Sequence, residues 1–219
     1  GEGHVGLWDL RFQLRVAEWE APGTDRVDAL AVATPPPSPA PLPLLWVASG
    51  ARRVLLLDAS TGQTGHVLRV LEEGEAAGEG EEEAGPSRSE LKAEVLQHPP
   101  PAKPGARALL PLPGTSGAFG SLITAGTDAA VRYWTPGAPD KCGLVCGPTD
   151  AKPAFVGAAR ADGVGVTAQG HAPEPPAPPG RGPPPPPRAD AHRDCINALA
   201  FAERQSDSGQ RVLLSASRD

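Results

Sequence analysis

The stretches Thr124-Ala-Gly-Thr-Asp128 and Ser215-Ala-Ser-Arg-Asp219 share one frame: a hydroxyl residue, alanine, two further residues, aspartate. Each frame grows out of an apolar run. Leu122 to Asp128 (LITAGTD) and Ala130 to Trp134 (AVRYW) form the clearest strand pair in the sequence, with Trp134 six residues after Asp128. The second frame follows an apolar strand from Cys195 to Phe201, and His192 sits in the loop leading into that strand. A third island, VASGARRVLLLD, keeps the two strands but carries Leu57-Asp58 at its end and no aspartate at its turn. Short strands recurring around one frame indicate a repeat architecture, in which each unit buries its faces against its neighbours.

The residue types match a WD-repeat blade. There a histidine, a serine or threonine, an aspartate and a tryptophan form a hydrogen-bonded set that ties the loop before the inner strand to the strands behind it. Thr124, Asp128 and Trp134 supply three of the four in one unit; His192, Ser215 and Asp219 supply three in another, whose tryptophan would fall beyond the last residue. Near the start, GEGHVGLWDL closes on Trp8-Asp9 like the end of a blade, and RFQLRVAEW (Arg11 to Trp19) alternates as a strand. From Trp8 to Leu57 is 49 residues and from Leu57 to Trp134 is 77, whereas a WD repeat takes about 40–45. The excess falls in Pro- and Glu-rich insertions.

The expected fold is therefore all-β: a partial WD-repeat β-propeller of about three blades with long disordered Pro/Gly/Glu-rich insertions. Residues 1–71 hold a blade end and one degenerate blade. Residues 72–105 form an acidic and Pro-rich insertion, and 106–168 a blade with the WD-type strand pair and an added hairpin (Phe155 to Ala168, turning at Asp162-Gly163). Residues 169–190 are a Pro-rich spacer expected to populate polyproline II, and 191–219 a truncated final blade. Ala106 to Leu112 reads as a poor strand, because Pro111 and Pro113 interrupt it.

Composition supports a small ordered core. Pro is 28 and Gly 26 of 219 residues, and aromatics are 4%. Met is absent, which with the interrupted final motif indicates a fragment or a processed piece. No run of 18 apolar residues is present to span a membrane. The net charge of −6 is local: without the seven glutamates Glu72, Glu73, Glu75, Glu79, Glu81, Glu82 and Glu83, 20 basic residues face 19 acidic ones. That balance leaves no basic stripe for nucleic acid. Cys142, Cys146 and Cys195 are odd in number and fit reduced thiols better than a disulfide framework. C-x-x-x-C at 142–146 lacks the second ligand pair of a zinc site, so no metal is expected.

His192-Arg193-Asp194 invites comparison with the kinase catalytic loop, where the aspartate accepts the substrate hydroxyl proton. That loop needs an asparagine five residues after the aspartate; here Asn197 is three after it and residue 199 is leucine. No Asp-Phe-Gly or Gly-rich loop accompanies it. His192 reads as a blade-locking residue, and no catalytic residue or cofactor-binding residue is assigned. Among His4, His66, His98, His171 and His192, only His192 lies in a motif.

Three stretches in order carry a more specific resemblance: WDLRFQL from Trp8 to Leu14, LITAGTDAAVRYW from Leu122 to Trp134, and HRDCINALAF with LLSASRD from His192 to Asp219. Together they resemble the C-terminal WD-repeat domain of the p150-type, vacuolar-protein-sorting regulatory subunit of the class III phosphatidylinositol 3-kinase complex. The resemblance implies a non-catalytic scaffold acting in autophagy and endosomal sorting. It implies as partners the lipid-kinase catalytic subunit and beclin-type coiled-coil subunits, with membranes reached only through the complex. It also implies a cytoplasmic location, peripheral on endosomal and autophagic membranes. Members carry an N-terminal serine/threonine kinase-like domain and a helical solenoid, neither of which is in this sequence. The competing reading is a WD-repeat adaptor of another pathway, such as a ubiquitin-ligase substrate receptor.

Overall fold

The computed structural model describes residues 3–20, 26–34, 43–49, 52–71, 105–113, 119–148, 153–170, 191–203 and 211–218. The acidic insertion at 72–104, the Pro-rich stretches at 35–42 and 171–190, and Asp219 lie outside the described residues.

The described residues fold into four β layers in chain order. β1 (His4–Asp9) and β2 (Leu14–Glu20) form an antiparallel pair. β3 (Val27–Val32), β4 (Leu44–Ser49), β5 (Arg53–Asp58) and β6 (Thr64–Val70) form an antiparallel meander. β7 (Ala106–Leu112), β8 (Ser121–Gly126), β9 (Val131–Trp134) and β10 (Gly143–Cys146) repeat that meander in a separate sheet. β13 (Ile196–Glu203) and β14 (Arg211–Ser217) make a final antiparallel pair. Successive four-stranded meanders packed face to face, with no closed ring among the described residues, make a partial all-β propeller.

Strand periodicity explains the stacking. Successive side chains of a strand point to opposite faces. In β4 and β5, Val47, Leu55 and Leu57 face the first pair, where they bury with Val5, Val67 and Leu71 against Trp19. The alternate residues Trp46, Ala48, Val54 and Leu56 face the third layer and bury with Leu68, Leu122 and Trp134. LLWVAS and VLLLD are apolar throughout because both faces of this sheet are covered. On the far side of the third layer, Ile123, Ala125 and Val131 bury with Ile196, against Leu199, Phe201 and Leu213 of the last pair. Fully burying a leucine or isoleucine in such a seam contributes about 1.5–3 kcal/mol.

Three sequence expectations need correction. β7 runs unbroken from Ala106 to Leu112 through Pro111. It is the edge strand of its sheet and Pro111 pairs only with Leu122, so the missing N–H leaves no ladder bond unmade. β2 begins at Leu14 rather than Arg11, because residues 10–13 are consumed by a turn in which Gln13 has φ 54. The hairpin of β11 (Ala154–Ala159) and β12 (Gly165–Gly170) does not extend the β7–β10 sheet. β12 instead pairs in parallel with β6, making the second layer six-stranded in the order β11-β12-β6-β5-β4-β3. β6 offered a free edge there, and buried Val166 and Ala168 complete the core shared with the first pair. The hairpin turns where expected: Gly163 has φ +83, and its N–H donates to Arg160 O at 2.9 Å.

Candidate functional site

The third layer shows how a blade is locked. β8 and β9 pair with Leu122 opposite Trp134 and Thr124 opposite Arg132. Trp134 and Thr124 therefore share one face, diagonally placed. The Trp134 Nε1–H donates to Thr124 Oγ1 at 2.8 Å, and both residues are buried. The edge-to-face ring of Phe155, 5.3 Å away, closes the pocket from the β11 side. Asp128 serves the turn instead. Its carboxylate pairs with the buried Arg132 guanidinium and accepts from Ala130 N–H at 3.3 Å. Arg132 also donates to Gln169 on β12, which ties the added hairpin to the neighbouring sheet. The turn is tight: a Cβ on Gly126 would lie 1.6 Å from Gly105 O, the oxygen that accepts from Thr127 N–H at 2.9 Å.

The second layer is the degenerate version. By register, Leu45 opposite Leu57 corresponds to Leu122 opposite Trp134, and Val47 stands where Thr124 stands. Apolar packing of Val47 and Leu57 replaces the hydrogen bond. Trp46 is fully buried on the other face with its indole N–H unpartnered. Asp58 accepts from Ser60 Oγ at 2.6 Å and Ser60 N–H at 2.7 Å, and these bonds hold its carboxyl below the usual range.

In the last pair, His192 Nε2 and Ser215 Oγ are hydrogen-bonded at 2.7 Å, joining the entry loop to β14. Asp194 accepts from Cys195 N–H at 2.6 Å and from Arg218 Nε at 3.0 Å, and those two bonds lower its pKa. Asn197 donates to Cys195 O at 3.3 Å. His192 and Asp194 are thus spent on fastening the loop to β14 and the residue after it. In the first pair, Asp9 accepts from Arg11 N–H at 2.9 Å and Arg11 Nη2 at 2.7 Å, which lowers its pKa. Trp8 is 57% exposed, on the face away from the second layer. The structure thus brings Thr124 to Trp134 and His192 to Ser215. It places Asp128 in a turn and Asp9 at the end of β1, where it holds the turn that follows, leaves Trp8 uncovered, and Asp219 is outside the described residues.

One buried histidine was passed over in the sequence. His66 on β6 lies under the added hairpin, where its Nε2 is hydrogen-bonded to Thr167 Oγ1 at 2.9 Å. Thr167 also accepts from Gly137 N–H at 3.2 Å, so one hydroxyl links β6, β12 and the segment after β9. Burial lowers the His66 pKa to about 4. The alternation of HVLRVL placed His66 on a face with Leu68, the available signal that it points inward.

The cysteines are all free thiols, and burial pushes Cys142 and Cys195 up. Among the described residues, no group of three or more His, Cys, Asp or Glu side chains could hold a metal ion. None of their helices is long and apolar enough to cross a membrane. What these sites do chemically is fasten strands and turns: Trp134–Thr124, His192–Ser215 and His66–Thr167 join residues distant in sequence, while Asp9, Asp58 and Asp128 hold their own turns through charge-assisted hydrogen bonds.

The sheets and their fastenings define the class: an all-β, partial propeller built from successive blades. No family model matches the chain. Over 170 residues it is 33% identical to the serine/threonine-protein kinase VPS15 of Arabidopsis thaliana, a match covering 67% of this chain and 11% of that protein. The chain is thus related to VPS15 while spanning about a tenth of its length. The described residues contain no α-helix and no kinase-like helical lobe.

Proposed function

We propose that the chain is a non-catalytic WD-repeat scaffold, equivalent to part of the C-terminal propeller of the class III phosphatidylinositol 3-kinase regulatory subunit. The observation that carries the reading is the similarity to VPS15 falling on a chain of stacked blades rather than on a kinase fold. In this role the propeller face holds the lipid-kinase catalytic subunit and beclin-type coiled-coil subunits together. The work is done at endosomal and autophagic membranes, reached from the cytoplasm through the complex. His-Arg-Asp at 192–194 contributes to the fold and not to phosphoryl transfer, because Asp194 is committed to Cys195 and Arg218. The test is affinity purification of the tagged chain from cells of its source. Co-purification of the class III lipid kinase is the expected result; recovery without that kinase, with the chain folded by circular dichroism, refutes the reading.

A further inference from the structure

The second layer carries a polar row where its apolar core would be expected to continue. Val47, Leu55, Val67 and Val166 lie opposite one another across β4, β5, β6 and β12, and all four bury in the core shared with the first pair. Two residues along each strand, side chains return to the same face. At the end of the sheet that holds the β4–β5 turn, the next row on that face reads Ser49, Arg53, Arg69 and Ala168, again directly opposite one another. Ser49 is fully buried, and its hydroxyl has no hydrogen-bond partner. Arg69 is buried and Arg53 half-buried. Like charges placed directly opposite across strands repel, and a buried hydroxyl without a partner keeps its full desolvation cost.

The surroundings add positive charge. Arg52 is held beside the end of β6, where its O accepts from Val70 N–H at 3.1 Å. Arg26, just before β3, and Arg107 on β7 share Asp28, at 2.5 and 2.8 Å. Such a concentration of one sign draws anions to this end of the layer.

We propose that Ser49, Arg53 and Arg69 form a binding site for a terminal phosphate group, carried by inorganic phosphate or by a small phosphate monoester. The donors set the chemistry. A guanidinium has five N–H donors, so each arginine keeps its present partners and still donates to a shared oxyanion. A carboxylate, with one charge and two oxygens, is satisfied by a single bidentate arginine. Two guanidiniums and a hydroxyl match instead a group of charge near −2 with three acceptor oxygens. Ser49 donates to one phosphate oxygen and the two guanidiniums bridge the others. Burial selects the terminal form. Arg53, the more exposed of the two arginines, forms the mouth, and the Ser49 hydroxyl behind it is reached by a group substituted on one oxygen at most. A diester carries a substituent on either side and does not enter. The site is built by strands of the second layer alone, so it stands apart from the identity of any complex the chain joins.

Isothermal titration calorimetry of the purified 219-residue chain with inorganic phosphate tests this, at an ionic strength held with sodium chloride. Saturable one-to-one binding is expected. It should be lost in Arg53→Gln and weakened about tenfold in Ser49→Ala, the effect of one hydrogen bond to a charged group. Phenyl phosphate that binds as tightly as inorganic phosphate assigns the site to monoesters; phenyl phosphate that does not bind assigns it to the free ion. Dimethyl phosphate should give no heat of binding. Urea midpoints supply a readout that a purely structural serine would not move. Without phosphate, Ser49→Ala should be at least as stable as the wild type, because it removes an unpartnered buried hydroxyl. Phosphate should then raise the wild-type midpoint more than that of either variant. No saturable binding, dimethyl phosphate binding as well as phosphate, or an equal response of wild type and both variants overturns the proposal. A Ser49→Ala chain destabilised in the absence of phosphate overturns it too, since the hydroxyl would then already be partnered.

Discussion

Trp134→Ala removes the side chain on which the β8–β9 blade closes. The residue is 2% exposed and sits among Leu122, Trp46 and Leu56. Burying an aromatic side chain removes about 150–250 Å² from water, and at about 25 cal/mol/Å² that is about 4–6 kcal/mol, of which the retained Cβ keeps a small part. The edge-to-face contact with Phe155 adds about 0.5–1.5 kcal/mol, and the Thr124 hydroxyl loses the bond made by Trp134 Nε1. Collapse of the surroundings recovers some of this, and large-to-small aromatic substitutions in cores settle at about 3–5 kcal/mol. We expect about 4 kcal/mol here, a large part of the roughly 5–15 kcal/mol that holds a domain folded. Urea unfolding followed by circular dichroism reads it as a lower midpoint at constant slope. Trp134→Phe, which keeps most of the ring and loses the N–H, should cost about 1–2 kcal/mol. A loss below about 1 kcal/mol for Trp134→Ala, at unchanged slope, would mean that the tryptophan does not fill this seam.

Gly126→Ala places a methyl group 1.6 Å from a backbone oxygen that cannot rotate away, so the β7 entry and the β8–β9 turn must separate. It should destabilise by more than about 3 kcal/mol, and a soluble variant with a wild-type urea midpoint would contradict the turn geometry. His66 gives a pH dependence with a defined sign. Its folded pKa, about 4, lies below the ordinary 6.5, so above pH 6.5 the imidazole is neutral folded and unfolded and adds nothing. Below that, the unfolded chain binds the proton first. Stability therefore falls as pH drops from 6.5 toward about 4, by about 2–3 kcal/mol in all. His66→Gln, which keeps a partner for Thr167, should flatten that decline between pH 7 and pH 4.5; a decline of the same size in the variant would assign it to other groups.

Elements whose signal is local were legible in the sequence. LITAGTD with AVRYW and LLWVAS with VLLLD declared themselves as strand pairs because both faces are apolar and their turns are short. Asp162-Gly163 marked its hairpin through a positive φ that glycine adopts freely. Partner choice was not legible. Nothing in the period of GVTAQG says that β12 runs beside β6 and in parallel, because that is decided by which sheet has an open edge and a matching apolar face. Pro111 misled for the same reason, since a proline forbids a central strand but not an edge. The candidate site divides likewise. The resemblance to a WD-repeat blade grouped Thr124 with Trp134 and His192 with Ser215 without saying which side chains would bond; the structure gives one bond in each group. Arg132 between Asp128 and Gln169 depends on a strand that reaches it from another part of the chain.

The strap formed by β11 and β12 changes how the molecule comes apart. In a simple repeat array each unit touches only the next, and the array can unzip one unit at a time. Here the chain leaves the second layer, builds the third, and returns to the second before moving on. The third layer is enclosed between two passes of the polypeptide through its neighbour, and the returning pass grips it through Thr167 and Gln169. Detaching that layer breaks the contacts of Thr167 and Gln169 as well as the seam between the sheets, so we expect the two middle blades to melt in one transition. A cut in the chain between β10 and β11 would uncouple them without removing a residue from either core.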